Sequence, residues 1–164
     1  MIYIGIDNGT TGSIGIIRQD SGEIDFIKTP VISELNYQKK KQEITRINHR
    51  EMLTIFHTYY GLDGGIIIGI ERPMVDPRRF KQTTAALRAF ESTLIAIEQF
   101  ELPYMYVDSK AWQKLLLPAG IKGTANLKKA SLQIGKRLFP SLSDKFENDA
   151  DGILIAEYLR RTYE

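Results

Sequence analysis

The chain twice writes an apolar run closed by glycine, isoleucine and an acid: IYIGID over residues 2–7 and IIIGIE over residues 66–71. A run this apolar and this short reads as a strand, and the second, inside GGIIIGIE, reads as one buried on both faces. Each run ends on a carboxylate, Asp7 or Glu71. If the two strands are parallel neighbours, the carboxylates meet at the carboxyl ends of the strands, where open α/β sheets form their sites. A carboxylate there is costly to bury without compensation. A divalent cation compensates it well, because hard cations take oxygen ligands. Taken singly, each acid also reads as a helix cap or, for Glu71, as a partner of Arg72.

The surrounding pattern supplies such a sheet. Residues 2–7, 12–18 and 24–30 read as three strands, with Asn8-Gly9 and Ser21-Gly22 as turns that imply antiparallel pairing. Residues 31–46 are polar and poorly periodic and read as a loop carrying Lys39–Lys41. A helix is expected over 48–60, a strand over 64–71, and a helix over 79–100 through Phe80, Leu87, Phe90, Leu94 and Ile97. A strand at 104–108 and helices near 109–117, 125–138 and 148–162 complete the chain. The expected fold is α/β: three antiparallel strands, then two parallel ones joined by helical crossovers, in a mixed five-stranded sheet covered by helices.

At 164 residues, a single domain over 1–164 is expected. The absence of cysteine excludes disulfides and thiolate metal sites. No apolar run approaches the roughly 20 residues of a membrane span, and the first residues lack a signal-peptide pattern. The expectation is a cytoplasmic protein that is not secreted.

A third acidic group, FENDADGILIAEY at 146–158, holds Glu147, Asp149 and Asp151. Acids before a helix commonly cap it. Their spacing carries a second reading. In a helix, positions i−4 and i−3 share a face with i, while i−2 points away. A helix running through 147 would let Glu147 and Asp151 converge, with Asn148 adding a carbonyl oxygen. A helix beginning nearer 150 would make Asp149 available instead. Three or four carboxylates without cysteine select Mg²⁺ or Mn²⁺ over zinc. Two such ions about 3.5–4 Å apart activate a water and stabilise the leaving oxygen of a phosphodiester. The two histidines, His49 and His57, show no metal spacing with these acids, and His57 reads as structural.

Net charge is only +2, but it is segregated. Residues 36–50, 72–90 and 109–137 carry five, five and seven Lys/Arg against two acids, Glu43 and Asp76. The rest of the chain is net acidic. Solvated helix faces would look the same one window at a time. Together the windows suit a protein that meets a polyanion with some surfaces and keeps its acids for another purpose.

In order along the chain, IGIDNGTTGSIGII, IIIGIERPM, DSKAWQKLL and DADGILIAEYL resemble the RuvC-type Holliday-junction resolvases, the phage-like branch more than the bacterial one. The resemblance implies an RNase H-like fold, a homodimer, and Mg²⁺-dependent symmetric nicking of four-way DNA junctions. It assigns the acidic set to Asp7, Glu71 and Asp151. Many members carry Asp or His three residues before the last acid, where this chain has Asn148, so Glu147 or Asp149 is left to complete the site. Gly152 stands where alanine is usual, at a cost of about 1 kcal/mol if helical. Some bacterial members wedge the junction open with an aromatic just after the second acid; here Met74 lies in that neighbourhood and Phe80 further on.

The basic residues then have a use, since Lys and Arg contacts to phosphate supply affinity and position. Arg72, Arg78, Arg79 and Lys81 lead away from Glu71 and would flank the cut strand. Lys110 and Lys114 beside Trp112 resemble the family's WQK element, with Trp112 itself read as core. Lys122 and Lys128 are candidates for backbone or transition-state contacts. GIDNGTT also looks like the first phosphate loop of sugar kinases in the actin-like superfamily, but those need a second such hairpin and several hundred residues. Closer alternatives are other RNase H-like nucleases, acting on flaps or RNA–DNA hybrids, and a non-catalytic binder of branched DNA.

Overall fold

The structure, a computed structural model, describes residues 1–37, 41–62 and 65–163. Strands β1 (Ile2–Ile6), β2 (Ser13–Arg18) and β3 (Ile24–Lys28) form an antiparallel meander. After a hairpin comes helix α1 (His49–His57), then β6 (Ile66–Glu71), a short 3-10 turn at Pro77–Arg79, and α2 (Phe80–Glu98). β7 (Tyr104–Val107), α3 (Ser109–Leu116), α4 (Thr124–Leu138) and α5 (Asp151–Tyr163) follow. The main sheet runs β3-β2-β1-β6-β7, with β1–β6 and β6–β7 parallel. This is the mixed five-stranded sheet expected from the sequence. Among the described residues, no helix is long and apolar enough to cross a membrane.

Period-two alternation divides the core between the sheet's faces. Ile4, Ile6, Ile14, Ile16, Ile68 and Ile70 pack with Met52 and Phe56 of α1 and Ala96 and Ile97 of α2. Tyr3 and Ile17 face the other way, toward Trp112 of α3, Ile134 of α4, and Ile153 and Ala156 of α5.

One row on that second face sets the geometry of the site. Gly5 lies in register with Gly15 on one side and Gly69 on the other. A Cβ on Gly5 would sit 2.2 Å from the Ala156 nitrogen, and one on Gly15 would sit 2.2 Å from the Ile153 Cα. The glycines therefore form a trough in which the backbone of α5 lies against the sheet. Gly152 completes the approach from the helix side, since a Cβ there would meet the Ser13 carbonyl oxygen at 2.6 Å. What reads in sequence as a helix-weakening residue is what lets the start of α5 touch the β1–β2 hairpin.

Two expectations need correction. Part of the expected loop at 31–46 is a two-stranded antiparallel hairpin, β4 (Val31–Leu35) with β5 (Glu43–Ile47). Cross-strand polar pairs stabilise it: Ser33 Oγ donates to Glu43 at 2.9 Å, and Arg46 pairs with Glu34. Of the basic run there, Lys39 and Lys40 lie outside the described residues, as does Gly64 of the expected strand 64–71. Second, the last helix begins at Asp151 and not at 148. Glu147 has φ +42°, which is not helical.

Candidate active site

The parallel register pairs Ile6 with Ile70, so Asp7, one residue on, comes beside Glu71. Both acids lie on the glycine face, under the start of α5. The Asp7 amide donates to the Ser13 carbonyl at 2.9 Å, which closes the hairpin and fixes the acid at its break. From the helix side come Asp149 and Asp151. The Asp151 amide donates to Asp149 Oδ1 at 3.1 Å, so Asp149 caps the first turn. Ser13 Oγ hydrogen-bonds Asp149 and accepts from the Gly152 amide at 3.1 Å, joining hairpin to helix. Asp7, Asp149 and Asp151 each present a carboxylate oxygen within 4.8 Å of the other two.

Two further side chains hold the acids in place. Trp112 Nε1 of α3 donates to Glu71 Oε1 at 2.8 Å. Ser131 of α4, itself buried, hydrogen-bonds Asp151. Trp112 is core, as expected, at 1% exposure. Its polar end was not anticipated, nor were Ser13 and Ser131. Ser13 had a local signal, since the turn returns it toward Asp7; Ser131 had none.

Burial is the main reason the Asp7 carboxyl is held well above its ordinary range, followed by the charges of Asp149, Glu71 and Asp151. Burial also raises Glu71, against the opposing hydrogen bond from Trp112. Asp151 is pushed up to about 6, by burial first and Asp149 second, with Ser131 and Lys128 acting the other way. Four acids gathered half-buried with so little positive charge among them fit a divalent cation. An all-oxygen donor set favours Mg²⁺ or Mn²⁺.

Glu147 does not join this cluster. It is 63% exposed and paired with Lys28. Because α5 starts at Asp151, the i−4 convergence of Glu147 on Asp151 does not occur, and Asp149 takes the near position. Asn148 is exposed.

The basic candidates lie on several elements. Arg72 pairs with Asp108 at 3.0 Å and lies 4.9 Å over the Tyr106 ring. Arg78 pairs with Asp76 at 3.0 Å. Arg79 and Lys81 are exposed where α2 begins, Lys110 and Lys114 on α3, and Lys122 just before α4. Lys128 on α4 is exposed and near enough to Asp151 to favour its charged form. Met74 and Phe80 are both solvent-exposed, at 75% and 73%. His57 stacks edge-on against Phe100 at 5.6 Å, away from the acids.

No protein-family model and no curated protein matches the chain in sequence. In three dimensions it is similar to Thermus thermophilus RuvC in complex with a Holliday junction substrate, at a TM-score of 0.57 and 12% identity. A second Thermus thermophilus RuvC structure is similar at 0.54 and 14%. In both cases the match covers 99% of this chain and 96% of the other. The sheet order, the covering helices and this full-length correspondence together show that the chain has the fold of RuvC, an RNase H-like fold.

Proposed function

We propose that this protein is a structure-selective endonuclease that resolves four-way and other branched DNA junctions by metal-dependent phosphodiester hydrolysis. The observation that carries the reading is the convergence of Asp7, Asp149 and Asp151 within 4.8 Å, beside Glu71, on a RuvC fold. The similar Thermus protein was solved with a Holliday junction, which favours that substrate class here.

In this proposal Asp7, Glu71, Asp149 and Asp151 hold Mg²⁺, two ions per site, with Mn²⁺ able to substitute. Bound ions supply an activated water and neutralise charge at the leaving oxygen. The chain's own groups do the positioning. Asp7 stands between the strand acid Glu71 and the helix acids Asp149 and Asp151. Trp112, Ser13 and Ser131 orient three of the four carboxylates. Lys128 brings positive charge to the rim, where the cut phosphate would lie.

Arg79, Lys81, Lys110, Lys114 and Lys122 would contact backbone phosphates. Arg72 joins them by exchanging Asp108 for phosphate, at little cost because that ion pair is exposed; Arg78 would join them by leaving its bidentate pair with Asp76. Paired nicks require two sites, so the working unit is proposed to be a homodimer.

The test is incubation with synthetic four-way junctions, forks, flaps and RNA–DNA hybrids, in Mg²⁺ or in EDTA. Paired symmetric nicks at the junction in Mg²⁺ alone support the proposal. Cleavage confined to hybrids would replace it with an RNase H role, and tight binding without cleavage would replace it with a binding module.

A further inference from the structure

A cavity lies beside the acids, about 310 Å³ in volume, between the β1–β2 turn, the end of β3 and the loop before α5. Asp149 lines it at one side, so it adjoins the proposed metal centre. The other polar lining is Thr10, Thr11, Lys28, Thr29, Glu147 and Asn148. Thr29 is buried at 7% exposure, and its hydroxyl oxygen has no hydrogen-bond partner among the described residues. A buried hydroxyl left unpaired is costly, and native proteins rarely keep one without a use.

Lys28, next along the chain, pairs with Glu147. Glu147 itself holds a left-handed backbone that non-glycine residues seldom adopt. Strain of this kind gathers at ligand clamps and switch segments.

We propose that this cavity is a phosphate subsite, taking a backbone phosphate of the same DNA strand next to the one that is cut. A turn of the Thr29 side chain brings Oγ1, now closed off from solvent, into the cavity, where it donates to a phosphate oxygen and gains the partner it lacks. Lys28 supplies the charge after exchanging Glu147 for phosphate, an exchange made easy by the exposure of that ion pair. Thr10 and Thr11 offer further donors at the mouth. Seating the neighbouring phosphate here would fix the register of the strand over Asp7. The inference rests on the nuclease reading and extends it.

The test is a walk of single neutral methylphosphonate linkages along the cut strand of a synthetic four-way junction, with binding measured in Ca²⁺ in place of Mg²⁺. For the wild-type protein, one linkage next to the scissile phosphate should weaken binding about tenfold. Lys28→Gln should lose sensitivity to that linkage, and its log–log salt slope should fall by about 0.9. Thr29→Val removes a hydroxyl that bonds none of the described residues, so it should fold normally yet bind the unmodified junction roughly tenfold more weakly. Glu147→Gln should bind at least as tightly as wild type and still cleave.

Equal response of wild type and Lys28→Gln to every linkage would overturn the subsite while leaving the nuclease assignment intact. So would wild-type affinity in Thr29→Val. Loss of cleavage in Glu147→Gln would instead make the cavity part of the metal centre. Failure of the wild type to bind any branched DNA would remove the function together with the subsite.

Discussion

Replacing Asp151 by asparagine should stabilise the metal-free protein at neutral pH, although Asp151 belongs to the proposed site. Its carboxyl is pushed from an ordinary 3.8 to about 6 in the folded chain. A folded value above the unfolded one means that the fold favours the protonated form. The associated stability is present below about pH 4 and is lost as pH rises through about 6. That displacement, from 3.8 to about 6, corresponds to about 3 kcal/mol at pH 8. Asparagine is neutral at every pH and can still accept from Ser131, so the variant escapes most of that cost. Because Asp7 is also raised by the Asp151 charge, its own penalty falls as well.

The expected gain in EDTA at pH 8 is about 1–3 kcal/mol, a Tm rise of roughly 2–10 °C for a chain of this size. It should shrink toward zero near pH 4. In Mg²⁺ the order should reverse, because binding stabilises the wild type more than the variant. Thermal and urea unfolding across pH 4–8, with EDTA or Mg²⁺, measures all of this. A variant less stable than wild type at pH 8 in EDTA, or a difference independent of pH, would refute the reasoning.

Gly5→Ala and Gly15→Ala should each cost about 3 kcal/mol or more, because the added Cβ lands 2.2 Å from the backbone of α5; urea midpoints and soluble yield report it. Trp112→Phe should keep the core but remove the hydrogen bond that holds Glu71 down, so the acid limb of the cleavage pH profile should move to higher pH. Ser131→Ala should move it the same way through Asp151.

Much of the sheet was legible because its signal is local. The IYIGID and IIIGIE runs announce buried strands, and their matched phase puts Asp7 and Glu71 side by side once the strands are parallel. The β4–β5 pairing was hidden because Val31, Ile32 and Leu35 are all exposed, leaving no alternation to mark a buried face. The choice between Glu147 and Asp149 turned on where α5 begins. Three acids within five residues fit either start, and only the backbone at Glu147 and the capping bond at Asp149 decide it. Trp112 and Ser131 reach their acids across 41 and 20 residues, distances at which periodicity carries no information. Gly152 reads as a helix defect until the contact with Ser13 is seen.

Asp7 is proposed to anchor a metal-dependent centre for cutting branched DNA. Mapping nicks on a four-way junction with end-labelled strands, for wild type and Asp7→Asn in Mg²⁺, tests this role most directly. Paired nicks at symmetric positions are expected from the wild type. None are expected from Asp7→Asn, which should still bind the junction. Nicking by Asp7→Asn at the wild-type rate would contradict this role.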